Sequence, residues 1–130
     1  MALVPEQFSL RPLSDALKTL EDALIQHRDD LTRDGCIQRF EYTFELAWKT
    51  LKKYLEMNSN IREDNLKNIF REAGKQGLIE SVEQWFQFQV ARNKTSHIYS
   101  HKVAAEVFEQ TKQFAPTCRK LVQKLEALLV

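Results

Sequence analysis

Apolar side chains recur at three- and four-residue intervals through nearly the whole chain, and nowhere do they alternate with polar ones in the two-residue rhythm of a strand. That restricts the fold to helices packed on helices. The densest stripe runs Ile37, Phe40, Phe44, Trp48, Leu51 and Leu55, with Ala47 and Tyr54 widening it. It predicts a helix over roughly residues 34–57 whose aromatic side faces a core. Glu41 and Glu45 sit on its edge, where like-charged neighbours are usually solvated, and Glu45 precedes Lys49 by four residues, the favourable order for a surface ion pair.

The other elements follow from the same periodicity. Pro12 suits a first helical turn, and Leu13, Leu17, Leu20 and Leu24 continue it, predicting a helix over roughly residues 11–31 that Asp34-Gly35 separates from the next. His27 extends its apolar edge as a packing histidine. Asn58-Ser59-Asn60 reads as a turn, with Asn60 and Glu63 at capping-box spacing before a short helix through Leu66, Ile69, Phe70 and Ala73 that stops at Gly74. Ser81 caps a fourth helix carrying Val82, Trp85, Phe86, Phe88, Val90 and Ala91. Its apolar groups cover more than half the circumference, as expected of a helix buried centrally or against a second subunit. The last helix runs from Val103 to the C-terminus, and Pro116 should kink or split it. The expected fold is all-α: an up-and-down four-helix bundle with one short extra helix and a proline-kinked C-terminal helix, forming one domain over 1–130 with 1–10 as an N-terminal extension.

Composition narrows the function. With a formal net charge of +1 over 130 residues, no global pull towards nucleic acid or an anionic membrane exists, so any polyanion site has to be a local patch. Two basic faces are available, Arg62, Lys67, Arg71 and Lys75 on the short helix and Lys112, Arg119, Lys120 and Lys124 on the last; such faces are ordinarily solvated and otherwise steer phosphates. Cys36 and Cys118 have no cysteine or histidine at metal-ligand spacing. They read as reduced structural thiols, and no metal or cofactor is expected. The segment Met1 to Leu10 lacks the basic start of a secretory signal, and no apolar run is long enough to span a membrane, so a cytoplasmic location is expected.

Chemistry concentrates in Ala91-Arg92-Asn93-Lys94-Thr95-Ser96-His97-Ile98-Tyr99. A surface arginine, a capping histidine and an interface tyrosine would account for this trio; so would an anion-binding, proton-transfer site. On one continuous helix Arg92 and Tyr99 lie almost in line about 10 Å apart, whereas Arg92 and His97 diverge by about 140°. Within one chain they converge only if the long arginine stem curls round or the helix ends near His97; two copies facing each other across a symmetry axis would let both line one shared cleft.

Gln38-Arg39-Phe40-Glu41-Tyr42-Thr43-Phe44-Glu45-Leu46-Ala47-Trp48-Lys49-Thr50-Leu51, Arg71-Glu72-Ala73, Gly77-Leu78-Ile79, Trp85 and the Arg92–Tyr99 segment together resemble the nucleotidyltransferase substrate-binding proteins. The resemblance covers the chain from about residue 13 onward and places it among HEPN domains, helical bundles that partner small MNT-type nucleotidyltransferases. Arg92, His97 and Tyr99 also resemble the motif of the HepT toxins. That resemblance implies a homodimer with metal-independent RNase activity, a two-gene toxin–antitoxin-like system, and a neutralising partner that adds AMP to the motif tyrosine. Arg92 and His97 are then the catalytic candidates, Asn93 and Ser96 their supports, and Tyr99 the modification acceptor. The other function this family implies is a non-catalytic subunit that binds a nucleotide or other substrate for a heteromeric nucleotidyltransferase.

Overall fold

The computed structural model describes residues 8–129. The reading of Met1 to Leu10 as no signal segment falls largely outside them. Among the described residues there are five α-helices, α1 (Arg11–Gln26), α2 (Asp30–Ser59), α3 (Leu66–Lys75), α4 (Val82–Asn93) and α5 (His101–Leu128), with a 3-10 turn at Thr95–His97 and no strand. The longest helices, α2 and α5, form the spine. Helix α1 packs along α2 and touches α5, while α3 and α4 close the other side.

The first two helices divide earlier than the glycine predicts. Asp29 Oδ1 accepts a hydrogen bond from the Thr32 N–H at 2.9 Å, and Thr32 Oγ1 accepts from the Asp29 N–H at 3.0 Å. This reciprocal cap satisfies two otherwise orphaned donors, so α2 starts at Asp30 and runs straight through Gly35. The Thr32 backbone and then side-chain hydrogen bonds hold the Asp29 carboxyl below its ordinary range. A folded-state value lowered in this way stabilises the protein above the unfolded value and loses that contribution as pH falls through the folded one. Asp29→Ala should therefore lower the melting temperature at pH 7, with the gap to wild type narrowing below about pH 4; thermal melts across pH check this.

Two further boundaries shift. Asn60 is not the N-cap of α3 but the left-handed residue ending α2, at φ 53°, and Ile61 N–H donates to Leu55 O at 3.1 Å. Asn65 caps α3 instead, its Oδ1 accepting from the Asn68 N–H at 3.2 Å. At the far end α3 continues past Gly74 to Lys75, and the left-handed residue is Gly77, at φ 74°. Leu78 N–H reaches Ala73 O at 2.9 Å and Gly77 N–H reaches Gly74 O at 3.1 Å, the paired bonds of a Schellman end.

Gly74 is needed for a different reason: a Cβ there would land on Val82 Cγ2 in the first turn of α4. Alanine would gain about 1 kcal/mol of helix propensity, but overpacking of this kind costs about 1–3 kcal/mol. Gly74→Ala is expected to be destabilising on balance, and Gly74→Ala with Val82→Ala should recover part of the loss in urea denaturation. Ser81 caps α4 as the sequence predicts, accepting from the Gln84 N–H at 3.1 Å.

Helix α5 is continuous through Pro116 for 28 residues and is not split. Pro116 and Lys112, whose carbonyl its ring leaves without an N–H partner, are both exposed, so water can hydrate the freed oxygen. A bidentate pair, Arg119 Nε to Glu21 Oε2 at 3.0 Å and Arg119 Nη2 to Glu21 Oε1 at 2.6 Å, ties α5 to α1.

The core is aromatic. Phe40, Phe44, Phe70, Trp85, Phe88 and Phe114 are each at most 1 % exposed, whereas Trp48 on the same stripe of α2 stays half-buried at its edge. His27, the exposed residue after α1, lays its ring on Phe108 with centroids 4.4 Å apart, so it packs on one side without continuing the helix's apolar edge. Cys36 and Cys118 are unpaired and buried, and burial pushes both thiols up from their ordinary range.

Candidate functional site

The motif occupies the end of α4 and the turn that reverses the chain into α5. Helix α4 stops at Asn93, the Lys94 N–H bonding to Ala91 O at 3.0 Å. Thr95–His97 then makes a 3-10 turn, and Ser100 starts α5 by accepting from the Val103 N–H at 3.4 Å. The seven-residue alignment of Arg92 with Tyr99 on one helix is therefore not realised. Helical rise no longer applies after Asn93, so the divergence of about 140° between Arg92 and His97 on one continuous helix does not apply either.

Arg92 is half-buried, its side chain 31 % exposed, and Arg92 Nε donates to Glu45 Oε1 at 3.0 Å. Glu45 Oε2 in turn accepts from Trp48 Nε1 at 3.1 Å. Glu45 is thus the arginine's partner across the bundle and not that of Lys49, whose Nζ lies over the Trp48 ring 5.7 Å from its centroid. Among the described residues nothing hydrogen-bonds the two terminal nitrogens of the Arg92 guanidinium. One turn up α2, Glu41 Oε2 accepts from the buried Thr95 hydroxyl, which also lies 2.8 Å from Arg92 O. Sequence periodicity placed Glu41 and Glu45 on a solvated edge. Nothing in local spacing signals partners 54 and 47 residues away.

His97 and Tyr99 are both exposed, Tyr99 to 83 %, with ring centroids 6.1 Å apart in an edge-on arrangement. Asn93 and Ser96 are exposed as well, and neither side chain hydrogen-bonds Arg92 or His97 among the described residues. The structure thus brings His97 beside Tyr99 and fixes Arg92 against α2, while the two supports stand free. Next to this corner a cleft of about 320 Å³ is lined by Gln87, Val90, Ala91, Lys94, Glu106, Val107 and Gln110, with Val90 54 % exposed.

The two basic faces are partly engaged within the chain. Lys67 Nζ and Arg71 Cζ lie 5.8 and 5.4 Å from the Phe86 centroid, and Lys75 is 3.8 Å from Glu72. On α5, Lys112 pairs with Glu109 at 2.8 Å and Lys120 with Glu80 at 3.8 Å, beside the Arg119–Glu21 pair. Exposed pairs of this sort contribute little stability but lower the local potential.

Fold and site together define an all-α bundle that presents a braced arginine and an exposed histidine–tyrosine pair at the turn before its last helix. The chain belongs to the family described as nucleotidyltransferase substrate binding protein like, whose family model matches residues 8–127. It is 29 % identical to the probable ribonuclease HepT of Haemophilus influenzae over 95 % of both chains. Two solved structures share the fold. One, from Thermus thermophilus, is 30 % identical with a TM-score of 0.81, covering 87 % of this chain and 98 % of that one. The other, HI0074 from Haemophilus influenzae, described as revealing the fold of a substrate binding domain of a nucleotidyltransferase, is 30 % identical with a TM-score of 0.82, covering 91 % and 99 %. No helix among the described residues is long and apolar enough to cross a membrane.

Proposed function

We propose that this chain is a HEPN-type, metal-independent endoribonuclease of the cytoplasm, working as a homodimer and controlled by a small MNT-type nucleotidyltransferase in a toxin–antitoxin-like pair. The observation that carries the reading is the state of Arg92: fixed through Nε, with both terminal nitrogens unengaged among the described residues, three residues before the start of the turn that displays His97. A guanidinium held this way can fork two donors onto phosphate oxygens. The similarity to a probable ribonuclease over nearly the full length of both chains points the same way.

In the reaction the 2′-oxygen attacks phosphorus, the P–O2′ bond forms and the P–O5′ bond breaks, leaving a 2′,3′-cyclic phosphate and a 5′-hydroxyl. One His97 accepts the 2′-hydroxyl proton and the other, from the second copy, supplies a proton to the departing 5′-oxygen. Arg92 stabilises the extra negative charge on the phosphorane-like transition state, and Asn93 and Ser96 are the supporting residues that orient the phosphate. Val90 and the cleft beside it lie against the second copy, which brings the two imidazoles to one groove.

Tyr99 is the acceptor for AMP. Its exposure opens it to the partner enzyme, and its position beside His97 puts the added phosphodiester charge and nucleotide bulk on the imidazole that must meet RNA.

A second reading is a substrate-binding subunit without chemistry of its own, which the description of the HI0074 structure favours. Wild type and His97→Ala, incubated with single-stranded RNA in chelator, separate the two. Cleavage by wild type and its loss in His97→Ala establish the nuclease; no cleavage by either, with a stable complex formed by the nucleotidyltransferase, establishes the subunit.

A further inference from the structure

Helix α2 carries two carboxylates that the cleavage chemistry does not use, and both point at the catalytic corner. Glu41 and Glu45 are four residues apart, one turn of helix or about 6 Å, and each grips a different end of the segment from Arg92 to Thr95. We propose that Glu45 and Glu41 are positioning residues that orient the Arg92 guanidinium and anchor the His97 turn, so that the terminal nitrogens of Arg92 face a substrate phosphate; this rests on the nuclease reading above.

Glu45 does this through geometry. Its Oε1 takes the Nε–H of Arg92, which restricts the guanidinium plane, and among the described residues neither terminal nitrogen takes a hydrogen bond of its own. The carboxylate is itself held, because Oε2 accepts from Trp48 Nε1, and the Trp48 side chain packs at the core edge. A braced carboxylate on a braced arginine confines two long side chains to one arrangement before substrate arrives. With side-chain exposures of 31 and 32 %, the pair is sheltered enough to persist and open enough for the fork to be reached.

Glu41 acts on the backbone. The buried Thr95 hydroxyl it engages also lies against Arg92 O, so the start of the 3-10 turn is held to α2 beside the end of α4. His97 follows two residues later. Its placement relative to Arg92 is thereby set by a side chain of another helix, where the α4 backbone alone leaves it unspecified.

A purely electrostatic role makes the opposite forecast. A carboxylate near a phosphate site repels the substrate, so removing its charge should tighten RNA binding and leave or raise the rate. Positioning predicts a lower kcat with little change in KM.

The test uses the full chain with Glu45→Ala, Glu45→Gln and Glu41→Gln, each confirmed folded by circular dichroism. Steady-state cleavage of a single-stranded RNA is measured alongside the ¹H–¹⁵Nε NMR signal of Arg92, assigned by its absence in Arg92→Lys. Glu45→Ala should lose about 10–100-fold in kcat and displace or broaden the Arg92 signal. Glu45→Gln, which keeps an acceptor for Nε, should fall between it and wild type. Glu41→Gln should lower kcat while leaving the Arg92 Nε signal near its wild-type position.

Unchanged kcat in Glu45→Ala, or a gain in rate, overturns the proposal. So does an Arg92 Nε signal that Glu45→Ala leaves in place. A wild type that cuts no RNA sinks the nuclease reading instead. The Nε signal, followed with and without a 2′-O-methyl RNA strand that cannot be cleaved, then decides the clamp by itself.

Discussion

Arg92→Lys is expected to lower the RNA cleavage rate by about 10²–10³-fold while leaving the bundle folded. Lysine keeps the positive charge, so a site that merely attracts phosphate would tolerate it. It has no Nε–H for Glu45 and no planar fork, so both the brace at 3.0 Å and the two terminal donors disappear together. The side chain is 31 % exposed and contributes little to the aromatic core, so circular dichroism and the melting temperature should stay close to wild type. Single-turnover kinetics with enzyme in excess is the measurement that isolates this step. A rate within twofold of wild type, on the scale where one donor ordinarily matters a hundredfold, would remove Arg92 from the chemistry.

The largest effect on stability is expected at Phe114. Its ring meets Phe40 at 5.1 Å, Phe88 at 5.2 Å, Trp85 at 5.6 Å and Phe44 at 6.2 Å between centroids, so one side chain of α5 joins α2 and α4. It is fully buried. Phe114→Ala removes the transfer free energy of the ring and leaves a cavity that four rigid neighbours cannot collapse into, a loss of about 3–5 kcal/mol. Against a typical total of about 5–15 kcal/mol for a domain, that is a large share. Urea denaturation should show the midpoint falling with an unchanged slope; a loss below about 1 kcal/mol, the scale of an exposed substitution, would mean the aromatic cluster is not the core that the ring distances describe.

These two residues show different degrees of legibility. Phe114 lies on an apolar stripe with period 3.6, and burial of such a stripe is required whatever the helix packs against. The same local logic located Ser81 as a cap and Pro12 in a first turn. Where it slipped, a competing local signal had been outweighed. Asp34-Gly35 looked like the break between helices, yet the Asp29–Thr32 cap is stronger than one glycine inside a long helix is weak. Asn60 looked like a start and is an end, because its left-handed backbone closes α2.

Glu45 and Tyr99 belong to another category. On the sequence, Glu45 has an obvious neighbour in Lys49, and Tyr99 an obvious alignment with Arg92. The folded chain gives Glu45 to Arg92 and ends α4 before Tyr99 can share its face. The sequence by itself determined the helical class, the core-facing stripes and the segment where arginine, histidine and tyrosine cluster, since each depends on residues within a few turns of one another. Only the tertiary structure decided which carboxylates hold that segment and how its arginine, histidine and tyrosine are turned. A charged group's partner depends on which helices become neighbours and at what register, and one chain's local periodicity carries no record of that choice.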